Sequence, residues 1–169
     1  MQNLDLSRRK FLTGKLREAA SVDISKVILP PWANTEDFWE KCTQCGDCIQ
    51  HCETQVLIKG ERGYPEINFA QAECSFCGKC AEICQQPIFR PITTEAWQHK
   101  IAINDGCLTQ RQVECRSCQD SCEWRAISFK PKLGQVAQPQ LDLAACNGCG
   151  ACVSACPVQA ISMLITQTA

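Results

Sequence analysis

The chain is short of hydrocarbon. Its hydrophobic share is 45%, but that figure counts sixteen cysteines among 169 residues. Without them the share falls to roughly 36%, below the usual apolar fraction. A core this thin needs a substitute, either disulfides or bound metal. Long apolar runs are also lacking: none approaches the roughly twenty residues of a membrane helix. Neither sign of charge is in excess, since 17 Lys+Arg against 18 Asp+Glu give a net charge of −1. That argues against a nucleic-acid binder driven by overall charge. The length suits one ordinary domain or two small ones.

What the chain has is cysteine in four groups. They are Cys42, Cys45, Cys48 and Cys52; Cys74, Cys77, Cys80 and Cys84; Cys107, Cys115, Cys118 and Cys122; and Cys146, Cys149, Cys152 and Cys156. The first, second and fourth read C-x2-C-x2-C-x3-C. Disulfides between such near neighbours would close tiny, strained loops with little entropic gain. Zinc half-sites use C-x2-C pairs, whereas here a third cysteine follows at the same interval. Three thiolates on a tight turn suit one face of an iron–sulfur cube. The fourth then ligates the other cube of a pair, as in two-cluster bacterial ferredoxins.

The third group departs from this spacing, with seven residues between Cys107 and Cys115. The plain reading is an insertion that leaves ligation intact; the sharper one is a looser cluster. Gly46, Gly78 and Gly150 each follow the second cysteine of a group, where a missing Cβ permits close approach and unusual φ. Gln119 is read as their counterpart in the third group. Only Cys156 is followed by proline, Pro157.

Similar segments follow each fourth cysteine, with apolar residues four and five positions on: Val56-Leu57, Ile88-Phe89, Ala126-Ile127 and Ala160-Ile161. Four copies at thirty to forty residues form an internal repeat. Hairpins are expected from Val56–Ile58 to Tyr64–Phe69 and from Ile127–Phe129 to Gln140–Leu143. The gaps between groups are 21, 22 and 23 residues, so length does not choose which groups pair. Parsimony favours two modules in tandem, joined near Pro87–Trp97. The expected sets are Cys42, Cys45, Cys48 with Cys84; Cys74, Cys77, Cys80 with Cys52; Cys107, Cys115, Cys118 with Cys156; and Cys146, Cys149, Cys152 with Cys122. The expected cofactors are therefore four [4Fe-4S] clusters, the site containing Cys107 being the irregular one. Each cube with four thiolates carries about −2, which would take the loaded protein to about −9.

The fold class expected is α+β: tandem bacterial-ferredoxin-like modules with cluster-filled cores, plus an N-terminal helical extension. The divisions are 1–34 for the extension, 35–91 for the first module and 92–169 for the second. Within the extension, Ser7-Arg8-Arg9-Lys10-Phe11-Leu12 matches the twin-arginine export signal. Lys15, Arg17 and Glu18 stand where an apolar stretch should begin, so the motif reads as one that does not export. A basic amphipathic docking helix is the other reading. Thr35-Glu36-Asp37 is expected to cap a helix carrying Phe38 and Trp39, and the four tryptophans to shield clusters. No phosphate loop or nucleophile elbow is present, which points away from an enzyme.

Several motifs carry a family resemblance over nearly the whole chain. They are Ser7-Arg8-Arg9 with Thr13-Gly14, Pro30-Pro31-Trp32, Gly63-Tyr64-Pro65, Glu73-Cys74-Ser75-Phe76-Cys77, the stretched third group, and Cys146-Asn147-Gly148-Cys149-Gly150. These residues resemble the NapF family, ferredoxin-type accessory proteins of periplasmic nitrate reductase. The resemblance implies a cytoplasmic polyferredoxin that meets the catalytic subunit precursor before export and helps load or reduce its iron–sulfur centre. The alternatives are an electron-transfer subunit of a larger redox complex and a cluster-based sensor. Export to the periplasm by the twin-arginine route is the alternative location.

Overall fold

Short elements alternate with cysteine loops throughout the computed structural model, which describes residues 27–165. The twin-arginine-like motif and the expected amphipathic helix lie outside the described residues. The helices are α1 (Thr35–Lys41), α2 (Asp47–Gln50), α3 (Lys79–Glu82), α4 (Ser117–Asp120) and α5 (Ala151–Ser154). The strands are β1 (Leu57–Lys59), β2 (Pro65–Ile67), β3 (Lys100–Ile103), β4 (Ile127–Lys132), β5 (Gln135–Leu141) and β6 (Ile161–Leu164). None of the described helices is long and apolar enough to cross a membrane.

The strands form three antiparallel pairs, β1–β2, β4–β5 and β3–β6. The first two are the expected hairpins. The β4–β5 hairpin runs further than its apolar residues suggest, through an irregularity at Lys130/Lys132 to a turn at Leu133-Gly134. Main-chain pairing needs no apolar side chain, so the polar half stays paired beyond the shift in register. The third pair joins the strand before the third cysteine group to the strand after the fourth, Lys100 opposite Leu164. The first half repeats this closure in miniature, where Ala33 bridges Phe89.

The chain joins the first half before α1. The Asn34 N–H donates to the Ile88 carbonyl at 2.8 Å and the Ile67 N–H to the Ile28 carbonyl at 2.8 Å. Asn34, not Thr35, caps α1: its side chain accepts from the Glu36 N–H at 3.3 Å and donates to Asp37 at 3.0 Å. Asn makes this cap because its side-chain carbonyl reaches forward to the Glu36 N–H while its backbone stays extended. Phe38, carried inward by α1, is fully buried beside Ala33 and Ile88.

Four one-turn helices repeat at the cysteine groups, and each holds the third cysteine of its group as its second residue. Gly46, Gly78 and Gly150 precede three of them with φ of 86°, 77° and 83°. Turning from loop into helix through that region costs an L-residue roughly 1–2 kcal/mol, which glycine avoids. In the third group the corresponding residue is Arg116, not Gln119, which lies inside α4. Arg116 has φ −133°, so the longer loop enters its helix from an extended conformation and needs no glycine there.

Apolar side chains gather in three small groups. One centres on Val56, Leu57, Ile67, Phe69 and Trp97, a second on Ile101, Ile127 and Ile161, and a third on Phe38 and Ile88. Cys74 and Cys80 belong to the first, Cys118 and Cys152 to the second.

Candidate iron–sulfur sites

The folding of each half brings distant cysteines around common spaces. Site I is lined by Cys42, Cys45, Cys48 and Cys84, with Phe38 and Ile88 behind them. Site II is lined by Cys52, Cys74, Cys77 and Cys80. Site III collects Cys107, Cys115, Cys118 and Cys156, and site IV Cys122, Cys146, Cys149 and Cys152. Each site therefore takes three cysteines from one group and one from its partner group.

These residues fit a polynuclear thiolate-bound group. All sixteen cysteines are free thiols, and soft sulfur donors select zinc, copper(I) or iron–sulfur. Among the described residues, no three His, Cys, Asp or Glu side chains form a site for a single metal ion. A tetrahedral zinc site would draw its sulfurs to about 2.3 Å from one point. Here four thiols surround a space instead.

The insertion in the third group is braced. Leu108–Arg111 form a 3-10 turn, and the Thr109 side chain is wholly buried 3.3 Å from Cys107 Sγ. Gln138 of β5 donates to the Thr109 carbonyl at 3.0 Å, and the Val136 N–H to Gln112 at 3.4 Å. The long hairpin thus holds the loop that returns Cys107 to its site. The packing does not describe a slack loop.

Burial controls the thiols. The third cysteine of each group is raised by desolvation: Cys48 and Cys118 to about 11, Cys80 and Cys152 to about 12. Cys74 also rises to about 12, again chiefly by burial. Such thiols stay protonated at neutral pH until a metal displaces the proton, so loading a site releases protons. Main-chain donors are already placed on two sulfurs. The Ala126 N–H donates to Cys122 Sγ at 3.3 Å and the Ala160 N–H to Cys156 Sγ at 3.2 Å. Both follow a left-handed residue, Arg125 or Gln159, three positions after the fourth cysteine.

The tryptophans divide. Trp32 and Trp97 are buried, but Trp124, which lines site IV, is 59% exposed and does not seal it. The residues after a cysteine group leave the surface only where another element covers them, and nothing described covers Trp124 fully. His99 is buried and stacked on Trp97 at 5.2 Å, and burial lowers its pKa. His51 lies at the surface, with Nδ1 2.9 Å from the Asp47 carbonyl.

Two stretches, residues 31–88 and 113–162, match families described as 4Fe-4S dicluster domain. Fold, cysteine sets and these matches define an iron–sulfur protein of the ferredoxin type with tandem dicluster domains. "Ferredoxin-type protein NapF" of Escherichia coli (strain K12) is 49% identical over 160 residues, covering 94% of each chain. The protein of the same name in Haemophilus influenzae is 48% identical over 165 residues, also 94% of each. "Methylamine utilization ferredoxin-type protein MauM" of Paracoccus denitrificans is 29% identical over 164 residues, 86% of this chain and 73% of the relative. The chain belongs to the NapF family of ferredoxin-type proteins.

Proposed function

We propose that the chain is a polyferredoxin whose sixteen cysteines hold four [4Fe-4S] clusters, one at each of sites I to IV. The supporting observation is the four-by-four lining: every site draws four free thiols and no cysteine is left over. The modules are 35–91 and 92–169, with 1–34 an extension in which Ile28, Ala33 and Asn34 pack on the first module and Trp32 donates to the Thr94 and Ala96 carbonyls. A bound cubane supplies one-electron redox chemistry. The chain's residues do the rest. Thiolates bind; Phe38 and Ile88 keep water from site I; the Ala126 and Ala160 amides stabilise negative charge on their sulfurs.

The role is electron transfer in the maturation of the periplasmic nitrate reductase catalytic subunit, met as its precursor in the cytoplasm, and not catalysis by this chain. Support comes from NapF family membership and from the motifs that carry the resemblance. The anaerobically isolated protein is expected to carry about sixteen iron and sixteen sulfide atoms, four of each per cubane. Cys149→Ala is expected to lose about four irons and to destabilise the second module more than the first. Zinc in place of iron by elemental analysis overturns the cluster reading; unchanged iron in Cys149→Ala overturns the assignment of site IV. For the partner, anaerobic affinity capture from nitrate-respiring cells is expected to recover the unexported catalytic subunit. Recovery of a membrane redox complex in its place would favour a subunit role instead.

A further inference from the structure

The four sites do not follow one another in space as they do in sequence. Within the first module, Cys48 of site I stands on α2 and Cys80 of site II on α3. These two helices pack together, and both cysteines lie in one apolar group. In the second module, α4 with Cys118 of site III packs on α5 with Cys152 of site IV, again within one group.

The crossing between modules lies elsewhere. The Cys74 N–H of site II donates to the Cys149 carbonyl of site IV at 2.8 Å. Around this bond the Trp97 indole donates to the Asn147 carbonyl at 3.2 Å, and the Trp97 ring meets Phe69 and Phe76 edge-on at 6.3 and 5.3 Å. Val153 of α5 packs against both apolar groups. Among the described residues, no such main-chain hydrogen bond joins a cysteine of site I or of site III to the other module.

We infer that the chain arranges its sites as one linear relay in the order I–II–IV–III, with the Cys74–Cys149 main-chain hydrogen bond at the crossing between modules. The inference rests on the four-cluster reading above. A hop along the relay moves one electron from a reduced to an oxidised site, with no bond broken and no proton moved. A one-electron donor at one end and a one-electron acceptor at the other complete the balance. The Cys74–Cys149 bond provides a short path from one sulfur through two residues' backbones to the next. The irregular site III, braced by its own loop, is a terminus, so its loss shortens the relay without dividing it.

Electron paramagnetic resonance of the full-length loaded protein, reduced with dithionite, tests the order through spin–spin broadening between neighbouring reduced sites. Cys149→Ala is expected to remove the broadening contributed to site II from the second module. Cys77→Ala is expected to do the same reciprocally for site IV. Cys115→Ala, which removes site III, should leave the first module's spectrum as in the wild type. If Cys149→Ala empties the whole second module, Cys77→Ala reads the same crossing from the other side. The relay order is overturned if Cys115→Ala alters the first module while Cys149→Ala does not, or if no variant changes the spectrum of the other module. Wild-type iron far below about sixteen atoms overturns the four-cluster reading itself. Full iron without coupling between modules overturns the relay alone.

Discussion

Anaerobic removal of iron by a chelator is expected to unfold most of the chain, with loss of far-UV circular dichroism and of any cooperative melt. The elements cannot stand alone. The longest described helix has 7 residues and four others have 4. Isolated helices below about 12–15 residues are marginal in water. The strands form only two-stranded sheets, which are also marginal without further packing. Each apolar group is small and includes the cysteines themselves. Metal binding is then largely the folding free energy, as in other small metal-built domains. A stripped protein that keeps its spectrum and melts cooperatively at an unchanged temperature contradicts this account.

Gly150→Ala is expected to cost far more than Gly46→Ala, although both glycines play the same part before a one-turn helix. Both sit at positive φ, 83° and 86°, so alanine pays the left-handed penalty of roughly 1–2 kcal/mol at either. At Gly46 a Cβ meets nothing within 4 Å. At Gly150 it collides with the Phe69 ring, which reaches over from the first module. Overpacking of that kind adds about 1–3 kcal/mol, so the totals are about 2–5 against about 1–2 kcal/mol. Denaturant titration of the loaded proteins measures the difference. Phe69→Ala added to Gly150→Ala should cost less than the two singles summed, because the collision is gone. Equal costs at Gly46 and Gly150 would show that the modules are not closely seated.

The repeat was readable because ligand chemistry is local. Spacing of two, two and three residues shapes a loop by itself, and the glycines that enter the helices sit at fixed offsets. Hairpins were readable where apolar residues alternate, as at Val56–Phe69. Their ends were not: β4–β5 continues on main-chain bonds that leave no hydrophobic trace. In the third group the residue that follows the second cysteine and precedes the helix is Arg116, whereas Gln119 follows the third cysteine and lies inside α4. The exposure of Trp124 was also hidden, since an aromatic residue beside a cysteine can face either way.

By itself the sequence determined a protein built on cysteine, with four groups, thin hydrocarbon and no long apolar run, because composition and short-range spacing decide these. Tertiary structure alone decided how the halves meet. It set the Cys74 amide on the Cys149 carbonyl and the Phe69 ring over Gly150. It also tied the insertion after Cys107 to β5. Those contacts join residues tens of positions apart, and their energy comes from shape and main-chain hydrogen bonding that no local pattern encodes.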